Sequence, residues 1–248
     1  RRVVEGQGDE PLAAAFAALL ASVRAERALG DVAVEVEADL PAGAGLGCSA
    51  ALGVAIARST AEMDDDEARR HAMAWERVFH GNPSGVDAAV AALGGALVFA
   101  RGEITPLDVR VPLVLAVGHS GVASSTRSLV ESVARQRARR PELVQKTFDG
   151  IDAIARNSRL AIEAGDVRAL GQLLDMNQML LAGLMLSTEE IETMCSSARA
   201  EGALGAKLTG AGGGGCTIAL AESRASAERI LAAWERAGFT GFVSEVAP

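Results

Sequence analysis

The sequence predicts an α+β protein built as two units joined near residue 108. Three observations carry that expectation. With 248 residues and 49% hydrophobic content, the chain can bury a sizeable core. Its strand-like and helix-like segments do not alternate regularly, as a doubly wound sheet would require. A buried-looking strand, "VPLVLAVG" (111–118), opens a second run of elements after two short strand-like pieces. The expected domains are residues 1–108 and 109–248.

The elements follow in order. "PLAAAFAALLASVRAERA" (11–28) has helical periodicity, and "DVAVEVEADL" (31–40) alternates apolar with acidic residues as a half-exposed strand does. A glycine loop follows. Residues 49–62 are almost uniformly apolar and predict a buried helix. "DDDEARRHAMAWERVFHG" (64–81) opens on capping carboxylates and closes on glycine, the signature of a second helix. After the turn-rich "GNPSG" come a short helix at 86–93 and the strand-like pieces "GALVFA" and "EITPLDV". Beyond 111–118, three or four helical segments fill 124–201. The chain closes as strand "ALGAKLTG", loop "AGGGG", strand "CTIALA", helix "SRASAERILAAWERAG" and strand "FTGFVSEV".

Composition removes several function classes. A net charge of -8 disfavours a polyanion-binding surface, so no nucleic-acid partner is expected. The one basic run, "RQRARR" (135–140), suits a helix C-terminus in solvent. No apolar run has membrane-spanning length, and "RRVVEGQGDEPL" lacks a signal-peptide core, so no membrane partner and a cytoplasmic location are expected. Cys48, Cys195 and Cys216 are odd in number and show no metal spacing, which predicts reduced thiols. Only Lys146 and Lys207 are available to a mechanism that needs lysine. The chain opens on Arg1 rather than methionine, as a fragment would.

"LPAGAGLGCSAALGVAIA" (40–57) raises the central chemical question. Gly45, Gly47 and Ala50 fit G-x-G-x-x-A, but no strand-ending acid follows at the distance a dinucleotide fold needs, and the G-K-[ST] of a Walker loop is missing. Glycines still let backbone amides converge, and the following helix adds its unpaired N–H groups, so such a loop can hold phosphate without lysine. Ser49 then has two readings, a hydroxyl ligand to Mg²⁺ or a helix cap; the loop alone favours the cap.

Three further positions stand out. Glu76 shares a helix face with Ala68, Ala72 and Phe79, so its carboxylate needs either a metal ion or a buried arginine, and spacing alone favours arginine. Asp87, in the first turn of its helix, either complements the dipole or acts as a base beside a substrate hydroxyl. In "KLTGAGGGGC" (207–216), five glycines within six residues demand bare backbone, which favours close approach to a ligand over a plain turn. Lys207 either points to that site or lies in solvent, and its place as a lone lysine on a strand favours solvent; His71, His80 and His119 are expected as structural or peripheral.

Together these segments resemble the GHMP kinase superfamily, whose members phosphorylate galactose, homoserine, mevalonate, phosphomevalonate and related small molecules. "PAGAGLGCSAA" resembles the phosphate-loop motif P-x-x-x-G-L-G-S-S-A-A, with Cys48 replacing the first serine, and "KLTGAGGGGC" resembles the C-terminal glycine motif. "WERVFHGNPSGVDAAV", "KLTGAGGGGC" and "SSTRSLV" are most similar to the members that act on mevalonate. The likeness runs from about residue 31 to 220.

The resemblance implies an N-terminal domain like the second domain of ribosomal protein S5 and a ferredoxin-like C-terminal domain. It implies that Gly45, Leu46, Gly47, Cys48, Ser49, Gly212 and Gly213 contact ATP, and that Ser49 and Glu76 hold Mg²⁺. Asp87 would be the catalytic carboxylate, with Ser84, Thr126 and Ala211 on the substrate side. The implied reaction converts mevalonate to 5-phosphomevalonate for isoprenoid synthesis, and a homodimer is the implied assembly. Another small-molecule kinase of the superfamily, or an inactive ligand-sensing relative, is the alternative. Two features depart from the family pattern. Its N-terminal lysine-bearing strand and G-E-H-type turn do not occur in the sequence, and the interval from Ser49 to Glu76 is short.

Overall fold

The computed structural model describes residues 10–37, 45–123 and 126–248. The chain divides into two compact units, Arg1–Ala42 with Gly47–Pro106, and Gly43–Leu46 with Leu107–Pro248.

The first unit holds α1 (Glu10–Glu26), α2 (Cys48–Thr60), α3 (Asp65–His80) and α4 (Val86–Leu93), followed by the hairpin β1 (Leu97–Ala100) and β2 (Glu103–Pro106). The charged opening of α3 folds as its sequence predicts. Asp64 accepts from the Glu67 amide at 2.8 Å while the Glu67 carboxylate accepts from the Asp64 amide, a reciprocal capping box. The apolar face of α3 then joins α1 and α2 in a core of Leu19, Val23, Ile56, Ala57 and Trp75. The β1–β2 turn uses Arg101 and Gly102, both at positive φ, which matches the twist of a two-residue hairpin.

One expected element is different. Residues 31–37 form no strand ladder, and 38–40 lie outside the described residues. The alternation of apolar and acidic residues nonetheless has a physical counterpart, because exposure alternates along 31–37 and Val34 and Val36 pack against the α1–α3 core. Extended chain presents alternate faces whether or not a neighbouring strand pairs with it.

In the second unit, β3 (Leu113–His119) is followed by α5 (Thr126–Arg139), α6 (Pro141–Ala164), α7 (Val167–Gly183) and α8 (Glu189–Ala200). Pro141 separates α5 from α6 by occupying the first helical position, where its missing N–H costs nothing. Then come β4 (Gly205–Leu208), β5 (Cys216–Ala221), α9 (Arg224–Arg236) and β6 (Thr240–Val246). The antiparallel sheet has the order β4-β5-β3-β6. Its two split β-α-β crossovers make the ferredoxin-like arrangement that the resemblance implies.

Alternate residues of β4 and β5 (Ala206, Leu208, Ala219 and Ala221) face α8 and α9. Trp234 fills that layer, fully buried, and donates from Nε1 to the Met194 carbonyl at 2.9 Å. The outer edge of β4 is covered by α7. Asp175 Oδ1 accepts from the Ala206 amide at 2.9 Å and Gln178 Oε1 from the Leu208 amide at 2.8 Å, so two side chains stand where a neighbouring strand's carbonyls would. Among the described residues, no helix is long and apolar enough to cross a membrane.

Candidate active site

The first glycine loop turns through left-handed backbone at Gly45 (φ 75°) and Gly47 (φ 68°). Gly47 is the N-cap of α2, and no side chain caps that helix. Its first-turn N–H groups, which have no intrahelical acceptor, are therefore presented at the loop. The Ala51 amide, 2.9 Å from the Gly47 carbonyl, begins the helical ladder.

Ser49 does not act as the cap. Its hydroxyl donates to Glu76 Oε1 at 2.5 Å and accepts from Trp75 Nε1 at 3.2 Å. Glu76 is 4% exposed. No lysine or arginine pairs with it among the described residues. Among the described residues its ion-pair contact is with the His80 imidazole, whose Nε2 lies 3.7 Å from Oε2. The arginine that spacing favoured is thus not what accompanies this carboxylate. A buried carboxylate beside a hydroxyl, lacking a strong cationic partner, is a donor set of hard oxygens that suits Mg²⁺. No cluster of three or more His, Cys, Asp or Glu side chains able to hold a metal occurs among the described residues. Two protein oxygens fit an ion that takes its remaining ligands from phosphate and water.

Asp87 occupies the first turn of α4, behind the left-handed N-cap Gly85, and is exposed. It reaches across to the loop. A methyl group on Gly47 would sit 3.4 Å from Asp87 Cβ and 3.6 Å from Oδ1. The first unit therefore brings together Gly47, Ser49, Glu76 and Asp87, although they are spread over 41 positions of sequence. Ser84, also exposed, precedes α4, and its Oγ accepts from the Val86 amide at 3.4 Å. Cys48 is half-buried at the start of α2.

The remaining candidates belong to the second unit. Leu46 packs with Val117 and Cys216. A Cβ added to Gly45 would lie 3.7 Å from the Thr209 carbonyl, so this part of the first loop abuts the root of the second. Thr126 is the exposed first residue of α5. In the second glycine loop, a Cβ on Gly212 would stand 2.3 Å from the Leu186 carbonyl oxygen and one on Gly214 2.5 Å from that of Val122. The bare backbone expected to serve a ligand is demanded here by the protein's own chain. The Gly213 amide donates to Leu186 at 2.7 Å and the Gly215 amide to Val122 at 2.9 Å, while Ala211 is half-buried beside them.

Sequence reasoning missed Trp75 and His80. The i,i+4 spacing of Glu76 and His80 on one helix was the available signal for the second; nothing in the sequence points an indole at Ser49. Lys207 is not in open solvent. Half-buried on β4, it donates from Nζ to the Leu208 carbonyl at 2.5 Å, and burial pulls its pKa down to about 8. Burial also pushes the Cys195 thiol up to about 12 and Cys216 up to about 11, which keeps both protonated at neutral pH.

Residues 12–95 match the GHMP kinases N terminal domain and residues 158–240 match GHMP kinases C terminal, in that order and over more than half of the chain. The chain belongs to the GHMP kinase family. Among the family's curated members, it is 44% identical over 193 residues to the mevalonate kinase of Aeropyrum pernix, covering 75% of this chain and 59% of that one. To the mevalonate kinase of Pyrococcus abyssi it is 34% identical over 226 residues, covering 87% and 66%. The chain thus spans less than two thirds of the length of these relatives. The crystal structure of L. major mevalonate kinase in complex with R-mevalonate superposes with a TM-score of 0.84 at 27% identity, over 96% of this chain and 77% of that one. That of the Methanococcus jannaschii enzyme gives 0.79 at 22% identity, over 98% and 76%, a likeness of fold.

Proposed function

We propose that this GHMP kinase transfers the terminal phosphoryl group of ATP to the primary hydroxyl of mevalonate, giving 5-phosphomevalonate and ADP. The observation that carries the reading is the meeting of Gly47, Ser49, Glu76 and Asp87 at the N-terminus of α2. Mevalonate enters through the relatives' names and the likeness to the R-mevalonate complex.

In this reading Gly45, Leu46, Gly47 and Cys48 line the ATP phosphates, which accept hydrogen bonds from main-chain amides and meet the positive end of the α2 dipole. Ser49 and Glu76 hold Mg²⁺, which when bound neutralises charge on the phosphate oxygens. Asp87 accepts a hydrogen bond from the acceptor hydroxyl and takes its proton as the new oxygen–phosphorus bond forms and ADP leaves. Its exposure leaves the carboxylate reachable by a polar substrate. Ser84, Thr126 and Ala211 contribute to the acceptor side, and Gly212 and Gly213 to the nucleotide side. We assign the two domains to residues 1–108 and 109–248, a cytoplasmic setting and a homodimeric assembly.

A coupled assay of ADP release with mevalonate, phosphomevalonate, galactose and homoserine as acceptors tests the assignment. Mg²⁺-dependent turnover of mevalonate is expected. Turnover of another acceptor without mevalonate rejects the substrate, and no turnover of any rejects the kinase reading.

A further inference from the structure

The turn that closes α7 contains a strained residue next to the second glycine loop. Met185 has φ 59°, in the left-handed region that costs a side-chain-bearing residue free energy, and at 75% exposure its side chain gains little packing in return. Such a conformation persists where its surroundings fix it.

Hydrogen bonds fix it on both sides. The Met185 amide donates to Ala182 at 2.9 Å and the Leu186 amide to Leu181 at 3.1 Å, which ties the turn to α7. Leu184 is the buried C-cap of α7, and its carbonyl, one of the groups a helix end leaves without an intrahelical donor, accepts from Gln136 Nε2 of α5 at 2.9 Å. On the far side of Met185, the Leu186 carbonyl accepts from the Gly213 amide. The same oxygen is the atom that a side chain at Gly212 would strike. Leu129, one helical face along α5 from Gln136, presses on Gly213, where a Cβ would lie 3.0 Å from its methyl carbons. The α5 helix, the 184–186 turn and the glycine loop are thus joined in one bonded chain within the second unit.

We propose that Gln136 is a positioning residue for the nucleotide side of the site: by holding the Leu184 carbonyl it sets the left-handed turn at Met185, and through the Leu186 carbonyl the placement of Gly212 and Gly213. The inference rests on the reading above that these glycines face nucleotide. Gln136 itself touches neither phosphate nor acceptor; it acts through two carbonyls and a loop. Without its donor, a buried carbonyl loses its partner and the turn can relax toward ordinary backbone, carrying the Leu186 oxygen with it.

The test uses the full-length protein and a non-hydrolysable ATP analogue with Mg²⁺, with affinity measured by calorimetry and Tm measured without ligand. Gln136→Leu is expected to weaken analogue binding about tenfold, and to raise KM for ATP while kcat at saturation changes less than about twofold. Gln136→Lys, which restores a donor, is expected to recover most of that affinity. Gln136→Glu keeps the shape but replaces the donor with an acceptor, and carries the same expectation if the leucine variant is insoluble. Analogue binding within about twofold of wild type in the leucine or glutamate variant overturns the inference, whatever happens to Tm. So does a lysine variant as weak as leucine. If wild type binds the analogue but leaves mevalonate unphosphorylated, the acceptor assignment fails and Gln136 is judged on binding alone; if wild type binds no analogue, both fail.

Discussion

Glu76 shows what a single buried charge requires. Its carboxylate sits on the inward face of α3 and is served by one hydroxyl and a histidine at a distance. Glu76→Gln preserves an oxygen for the Ser49 hydroxyl but removes the charge that a divalent ion needs. We expect the Mg²⁺ concentration for half-maximal turnover to rise about tenfold or more, read by metal titration at saturating ATP. An unchanged metal requirement would assign Glu76 to packing alone. For Asp87→Asn we expect kcat to fall by about 10²–10⁴ while analogue affinity stays near wild type, because the amide keeps the shape but cannot take a proton. Steady-state kinetics at near-normal kcat would remove Asp87 from the chemical step. Both residues could be singled out from sequence, Glu76 by periodicity and Asp87 by its place behind a glycine turn. Spacing alone does not pair Ser49 with Glu76, which lie 27 positions apart and meet when α2 packs on α3; only the family resemblance put the two together.

The pairing of α1 with α3 buries His71 completely. Its Nδ1 meets Ser22 Oγ at 2.9 Å, its Nε2 has no hydrogen-bond partner, and Glu26 Oε2 lies 3.7 Å away. Burial lowers its pKa below the usual 6.5, outweighing the opposing pull of Glu26; Arg70 and Arg27 add to the lowering and Glu67 opposes it. A depressed folded-state value means that the unfolded chain binds the proton more readily. The contribution is therefore present above pH 6.5 and is lost as pH falls toward the folded value. Urea titrations at pH 7.5 and 5.0 should show wild type losing more stability on acidification than His71→Gln; equal losses would exclude His71 as the cause. On the second sheet, Asp175→Leu should cost about 1–3 kcal/mol in the same experiment, since it strands the buried Ala206 amide. Periodicity revealed most of these helices, and the strand 31–40 was the element it misassigned over its described residues. Alternation reports which faces are wet, whereas a strand also needs a partner that no local pattern names.

At the level of the whole molecule, the irregular order of strands and helices was enough to indicate α+β, and the β4-β5-β3-β6 order realises it in the second unit. What stayed illegible was the reason for the glycines at 210–215. Composition demands bare backbone there, but only the fold reveals that Leu186 and Val122, remote in sequence, press against it. Thiol chemistry offers a check on the packed interior. Cys195 and Cys216 should stay unmodified by a maleimide at pH 7.5 in the native state and react on unfolding, because burial both shields them and disfavours their thiolates. Rapid native labelling of either would contradict that packing.

The side chains of Asp175 and Gln178 have one more consequence. An uncovered strand edge is a template on which a second molecule can begin to zip, the first step from a crowded solution to a fibril. To use β4, an incoming strand would have to evict a carboxylate that also holds Arg199 and an amide that also holds Ser187 and Glu192. This flank of the sheet is closed to recruitment while α7 stays docked, so heat or mutation that loosens α7 would expose a sticky surface before the core itself melts.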